Sequence, residues 1–354
     1  MKPEPAILVV NPGSTSTKLA VSDLGGSILA GVTLRHSAAE LAPFPHVAGQ
    51  FPHRLKLSLD WSRQHLDRCA AVAAMGGLLR PLVGGVYGVN PKMLADARAN
   101  LQGEHASNLG CLLAAAIAGE YRCPAYVVDP VSVDEFEQLA YYSGHPLIRR
   151  KSLSHALNIH AAARKAAEGL NLAIGRSSFV VGHLGGGISI APVKNGKIID
   201  VNDAASDGPF SPERTGGLPL QEVVTLAYAG IYSEREVRAM IMGKGGCVAY
   251  LGTNSMEEIE ERIGRGDRVA AEVLDAMAYQ VAKEIGAMST VLHGSVDAIV
   301  LTGGMTCSRA IAGRVTERVK FIAPVIVYPG EDEMRSLALG AARVLQGIES
   351  AKEY

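Results

Sequence analysis

The residues most able to do chemistry in this chain lie in short glycine-bearing stretches that follow apolar runs. The first is Asn11-Pro12-Gly13-Ser14-Thr15-Ser16-Thr17-Lys18. Small residues let such a backbone curl until several N–H groups converge on an anion, and Ser14, Ser16 and Lys18 add donors of their own. The stretch reads as a phosphate loop, with an ordinary polar hairpin turn as the alternative. It is not a Walker A loop: the GK[ST] ending is absent and a strand-like segment follows instead of a helix. The second stretch is His183-Leu184-Gly185-Gly186-Gly187. Its three glycines permit close approach of a phosphate chain, and His183 is placed to donate a hydrogen bond to a phosphoryl group in transfer. A structural histidine is the plainer alternative there. The third, Leu301-Thr302-Gly303-Gly304-Met305, suits a nucleoside lying flat on backbone, or is simply a turn.

Two further segments carry candidate charges. Residues 206–217, SDGPFSPERTGG, form a shaped loop rich in proline and glycine, of the kind that often holds function on a rigid scaffold. Its Arg214 could span a carboxylate and phosphoryl oxygens with a planar fork, or could simply pair with a nearby acid at the surface. Pro329-Gly330-Glu331-Asp332-Glu333 is a carboxylate cluster at a strand-to-helix boundary. It could hold magnesium through one or two oxygens, or the acids could serve only the N-terminus of the last helix.

The elements that must position these residues follow from the pattern of apolar runs and turns. Residues 6–10 form a branched apolar run stopped by Asn-Pro-Gly, and 18–22 and 27–33 read as two more strands joined at Gly25-Gly26. The same sequence of elements returns at 178–181, 188–193 and 198–201, with Lys194-Asn195-Gly196-Lys197 as the hairpin signal. Both units put a glycine-bearing turn between their first two strands, which points to internal duplication. Further strands are expected at 70–74, 125–128, 298–301 and 325–328. Helices are expected at 107–118, 152–168, 218–229, 233–242, 268–293 and 333–345. In the longest helix Leu274, Ala278, Val281, Ile285, Met288 and Leu292 make one apolar stripe, better suited to the domain's own core than to a subunit seam. Glu257, Glu258, Glu260 and Glu261 read as a solvated helix face.

With 354 residues, two domains are the natural expectation, and 48% hydrophobic against 19% charged residues describes a globular chain with a large core. A formal net charge of −1 gives no electrostatic reason to expect nucleic acid or a membrane surface as partner. Five scattered cysteines without a CxxC pair read as thiols in a reducing compartment. The apolar run after Met1-Lys2-Pro3-Glu4-Pro5 is too short for a signal-peptide core or a membrane span, so the cytoplasm is the expected location.

Taken in order, NPGSTSTK, HASN at 105–108, Ser154-His155, HLGGGISI, DGPFSPERTGG, LTGGMTCS and PGEDEM resemble the butyrate kinase branch of the acetate kinase family over essentially the whole chain. The resemblance implies an α/β fold of two duplicated actin-like ATPase (ribonuclease H-like) domains, with mixed sheets flanked by helices, closing over ATP. It implies an N-terminal domain of 1–150 plus 336–354 with the first phosphate loop and the acid site. Residues 151–335 would form the C-terminal domain, with the second phosphate loop and the adenosine site. Asn11, Asp129, His183 and Arg214 fall at catalytic positions of the family. Ser14, Ser16, Lys18, Gly185, Gly186, Gly187, Gly303 and Gly304 fall at nucleotide or phosphate positions, and Glu333 falls near magnesium. The implied activity is reversible ATP-dependent phosphorylation of a short-chain carboxylate, with ATP/ADP and Mg2+ as cofactors and a homodimer or larger homo-oligomer as the assembly. The alternative is a catalytically weak nucleotide-binding paralogue with a regulatory or interaction role.

Two positions bear on the acceptor. Sugar kinases and chaperone ATPases of this fold usually carry aspartate where this chain has Asn11. A sugar hydroxyl needs a base, whereas a carboxylic acid with a pKa of about 4–5 is already ionised at pH 7. Asn11 therefore fits a carboxylate acceptor, for which the difficulty is repulsion between anions. Butyrate kinases usually show Gly-Arg-Gly-Gly before LL[KR]P, but this chain reads Ala74-Met75-Gly76-Gly77-Leu78-Leu79-Arg80-Pro81. Met75 cannot neutralise an anion, and losing such a partner costs about 1.5–3 kcal/mol. Either Arg80 or Arg214 compensates, or the acceptor differs, or catalysis is weak.

Overall fold

In the computed structural model, residues 5–354 are described; the N-terminal residues 1–4, part of the segment weighed above as a signal sequence, lie outside them. The chain forms two units, one comprising Met1–Asp134 with Asp332–Tyr354 and the other Glu135–Glu331. The divide expected at 150/151 falls earlier because residues 135–150 bond within the second unit. Glu137 N donates to Ile199 O, and Arg150 donates to Val201 O while pairing with Asp200 at 2.8 Å.

The first unit is built on strands β1 (Ala6–Pro12), β2 (Ser16–Ser22), β3 (Ile28–Arg35), β4 (Cys69–Met75), β5 (Val86–Gly88) and β6 (Ala125–Val128), in the order β3-β2-β1-β4-β6-β5. The branched residues of β1 are fully buried because the strand lies between antiparallel β2 and parallel β4. Helix Leu109–Tyr121 packs on β4 so closely that a Cβ on Gly110 would sit 1.8 Å from Met75 O. Helix Glu333–Leu345, from the far end of the chain, packs on β1 and β4 of this same sheet.

The second unit begins with a small hairpin, β7 (Tyr142–His145) and β8 (Ile148–Arg149), that apolar patterning did not predict. Its sheet holds β9 (Ser178–Leu184), β10 (Ile188–Lys194), β11 (Lys197–Ile198), β12 (Ala298–Thr302) and β13 (Val325–Val327), in the order β11-β10-β9-β12-β13. That order repeats β3-β2-β1-β4-β6 with the same sense at every pairing, so the expected duplication is present in the topology. Helix Ala156–Gly169, which follows the first unit's strands in the chain, packs here on β9 and β12.

The strand expected at 198–201 stops at Ile198. Ile199 N still donates to Pro192 O, but Pro192 has no N–H to return, and the ladder ends. Helix Arg268–Val291 buries Leu274, Ala278, Val281, Ile285 and Met288 in the second unit's core, joined by Leu292 at its C-terminus, as the stripe predicts. No helix among the described residues is long and apolar enough to cross a membrane.

Candidate active site

In the first unit the predicted residues gather where the parallel strands β1, β4 and β6 end. Asn11 and Lys18 stand directly opposite each other on β1 and β2, a register that puts both side chains on one face of the pair. Asn11 Nδ2 donates to Glu333 Oε2 at 2.8 Å, and Lys18 Nζ lies 3.7 Å from the same oxygen. Glu333 opens the helix Glu333–Leu345, where a carboxylate is also favoured by the helix dipole, so the two readings of this acid are compatible. Between β1 and β2, Gly13 N donates to Ser16 O at 2.8 Å and closes the turn that presents Ser14.

Asp129 follows β6 with a φ of 39° and is buried; its Oδ1 accepts from Gly85 N at 2.7 Å. Met75 ends β4 beside Val128, one residue before Asp129. The position of the family arginine is therefore at this strand-end edge. Arg80 is already paired elsewhere. Its guanidinium is committed to Asp96, with Nε–Oδ2 at 2.6 Å and Nη2–Oδ1 at 3.1 Å, and Asp96 also accepts from the Tyr354 hydroxyl.

In the second unit, the strand ends bring together His183, Gly185–187, Arg214, Gly303, Gly304 and Glu331. His183 pairs in register with Thr302, just before Gly303. Gly303 has a φ of 99°, and a Cβ there would lie 2.3 Å from Leu184 O, so only glycine closes this turn. Gly187 is crowded by a side chain instead. The Arg214 guanidinium lies over it, and a Cβ would come within 2.4 Å of Nη1. Arg214 Nη1 donates to Ala204 O at 3.1 Å, while its buried Nε has no protein partner. The 206–217 loop also braces the glycine turn directly, through Ser211 Oγ donating to Gly186 O at 2.6 Å.

The carboxylate cluster expected at 329–333 is divided between the units. Glu331 Oε1 lies 3.5 Å from His183 Nε2 and 3.5 Å from Gly304 N, whereas Glu333 serves Asn11 and Lys18. The His183–Glu331 contact is not an ion pair. Burial pushes the His183 pKa down to about 4, so the imidazole is neutral near pH 7. Its Nδ1 is buried without a protein partner.

A second histidine stacks on it. The His155 ring lies 4.1 Å from that of His183, with His155 Nδ1 2.9 Å from Ser189 Oγ. Burial first, then His183 and Arg214, hold His155 well below the ordinary histidine pKa. In the sequence Ser154-His155 is a motif without an assigned role, and two histidines 28 positions apart give no sign of contact until β9 is placed. Among the described residues no group of three or more His, Cys, Asp or Glu is arranged to hold a metal.

Residues 139–326 match the model of the acetokinase family. The chain is 49% identical over 352 residues to a protein of Listeria innocua named "Probable butyrate kinase", covering 98% of this chain and 99% of that one. It belongs to the acetokinase family. A Clostridium acetobutylicum member named "Butyrate kinase 2" is 48% identical over 355 residues, 98% of this chain and 99% of that protein. The crystal structure of acetate kinase from Porphyromonas gingivalis superposes with a TM-score of 0.80 at 19% identity, covering 98% of this chain and 100% of that one. That likeness shows the fold, and agrees with the duplicated α/β units expected of an actin-like ATPase.

Proposed function

We propose that this acetokinase-family chain transfers the terminal phosphoryl group of ATP to the carboxylate of butyrate or a similar short-chain acid, reversibly. A carboxylate oxygen forms the new bond to phosphorus, the bond to the bridging oxygen of ADP breaks, and no proton needs to move. The observation that carries this reading is the pair of buried nitrogens without protein partners, His183 Nδ1 and Arg214 Nε, beside a three-glycine turn. Buried polar atoms are almost always paired, and these are suited to ligand oxygens. A neutral His183 in its Nδ1–H tautomer would donate from that nitrogen without depending on pH near 7, and Arg214 supplies charge where phosphoryl oxygens gain it.

Asn11 supports an acid over a hydroxyl as acceptor. Its amide nitrogen donates to Glu333, and an amide takes no proton from an acceptor. In this reading Ser14, Ser16 and Lys18 meet phosphoryl oxygens, Gly185–187 admit the phosphate chain, and Gly303 and Gly304 carry adenosine. Asp129, tied to Gly85 N, shapes the strand ends. The oxygen donors near Lys18 fit magnesium, because that ion takes one or two protein carboxylates and the rest of its ligands from phosphate and water. Glu333 and the Asn11 amide oxygen would hold it, and when bound it offsets phosphate charge.

The free thiols, with Cys111 and Cys247 buried, support a cytoplasmic setting. Helices Leu220–Tyr228 and Glu234–Ile241 bury none of their residues and leave Leu220 and Tyr228 exposed, which supports assembly as a homodimer or larger. The activity is tested by trapping acyl phosphate as hydroxamate from ATP, magnesium and a panel of C2 to C6 acids. Product with a short-chain acid is expected; ATP binding without product from any acid would overturn the reading.

A further inference from the structure

Beneath the β1–β2 loop lies a cation that the proposed reaction leaves unused. Arg54, on helix Phe51–His65, is fully buried. Its Nη1 donates to Gly13 O at 2.8 Å, Ser16 O at 2.9 Å and Thr17 Oγ1 at 3.1 Å, and its Nη2 donates to Ser14 O at 3.0 Å. Gln50 Oε1 fixes the other edge, accepting from Nε at 3.0 Å and Nη2 at 2.8 Å. Every acceptor is a neutral oxygen, and no carboxylate among the described residues pairs with this guanidinium. Burial alone pushes its pKa down, with no acid to offset the effect. A buried charge without a counter-ion is unfavourable, and it lies directly under a loop shaped for anions.

The geometry has a second effect. In a trans peptide the carbonyl and the following N–H point in opposite directions. Drawing the carbonyls of Gly13 and Ser14 toward Arg54 therefore turns the N–H groups of Ser14 and Thr15 away from it, toward the loop's outer face. Both residues are exposed.

We propose that Arg54 is a positioning residue for phosphoryl recognition. It holds the loop carbonyls inward and supplies from below a positive charge that a bound phosphoryl dianion completes. The inference rests on reading Asn11–Lys18 as a phosphate loop. The ligand is a phosphoryl group, from the nucleotide or from the acyl phosphate of the reverse reaction.

The test compares wild type, Arg54→Lys, Arg54→Gln and Lys18→Met in both directions, with KM for ATP, for butyryl phosphate and for butyrate measured separately from kcat. Arg54→Gln should raise KM for at least one phosphoryl substrate about tenfold or more, with KM for butyrate within about twofold, and Arg54→Lys should recover most of the loss. An effect confined to ATP assigns the nucleotide phosphate to the loop; one confined to butyryl phosphate assigns the transferring group. A folded Arg54→Gln within about twofold of wild type on both substrates, or an Arg54→Lys equally impaired, overturns the proposal. If Lys18→Met weakens phosphoryl binding while Arg54→Gln does not, only the role of Arg54 falls. If neither does, the phosphate-loop reading falls and takes this inference with it. Should Arg54→Gln not fold, the Arg54 Nε–H resonance of the wild-type protein decides: a shift on saturation with ATP or butyryl phosphate supports the proposal, and no shift with either overturns it.

Discussion

The β1–β2 and β9–β10 hairpins occupy the same place in two sheets that share a five-strand order, yet in the proposed reading they would meet anions by different physics. The first is a hydroxyl-rich turn over a permanently charged, fully buried Arg54, with Lys18 and Glu333 at its mouth. The second is a run of glycines flanked by two neutral, stacked imidazoles and overlain by Arg214. Duplication preserved the backbone path and the closing glycine turns, while the charge beneath the turn diverged. A fixed cation favours standing recognition of an anion. Neutral donors beside one guanidinium favour charge that develops during reaction.

That contrast predicts an asymmetry in kinetics. Arg214→Ala should lower kcat by about 10²–10³-fold, as loss of a transition-state donor does. Lys18→Met should act mainly on KM for phosphoryl substrates, roughly tenfold. Steady-state kinetics on both variants checks the split, and equal effects on kcat would erase the distinction. Next in size, Met75→Arg restores the cation expected at the strand-end edge and should raise kcat/KM for butyrate about tenfold. No gain would count against placing the acid near β4.

The neutral histidines give a pH signature. Their folded-state pKa values lie below the ordinary 6.5, at about 4 for His183 and in the same direction for His155. The unfolded chain therefore takes up protons below pH 6.5 that the folded unit refuses. Stability is full above 6.5 and declines as pH falls toward 4, by at most about 1.4 kcal/mol per pH unit for each histidine. His36, buried in the first unit, acts in the same direction. Denaturant titrations at pH 7, 6 and 5 should show the decline, and His183→Asn should flatten it. The smallest effect is expected at Arg80→Ala, which should leave KM for butyrate within about twofold, because Arg80 already belongs to Asp96.

Much of the scaffold was legible because apolar runs ended in glycine turns, and the closing helix was predicted at its observed bounds. Helix Phe51–His65 was not. Its fully buried positions are Arg54, Ser58 and Ser62, while Phe51, Leu55 and Leu59 pack on the core only partly buried, and a buried arginine looks like a surface one in sequence. The clustering of polar and charged residues around each glycine turn was legible from residue type. The division of Glu331 from Glu333 was not, since neighbours in sequence gave no hint that they serve different units. The His155–His183 stack depends on β9 carrying His183 to the start of helix Ala156–Gly169, a tertiary fact.

The central claim is phosphoryl transfer to a carboxylate. It is tested most directly by following phosphorus resonances of ATP, magnesium and butyrate with the purified protein. ADP and an acyl phosphate should appear together, and adding ADP should drive the reaction back. Inorganic phosphate in place of acyl phosphate, or an unchanged ATP spectrum, would contradict it.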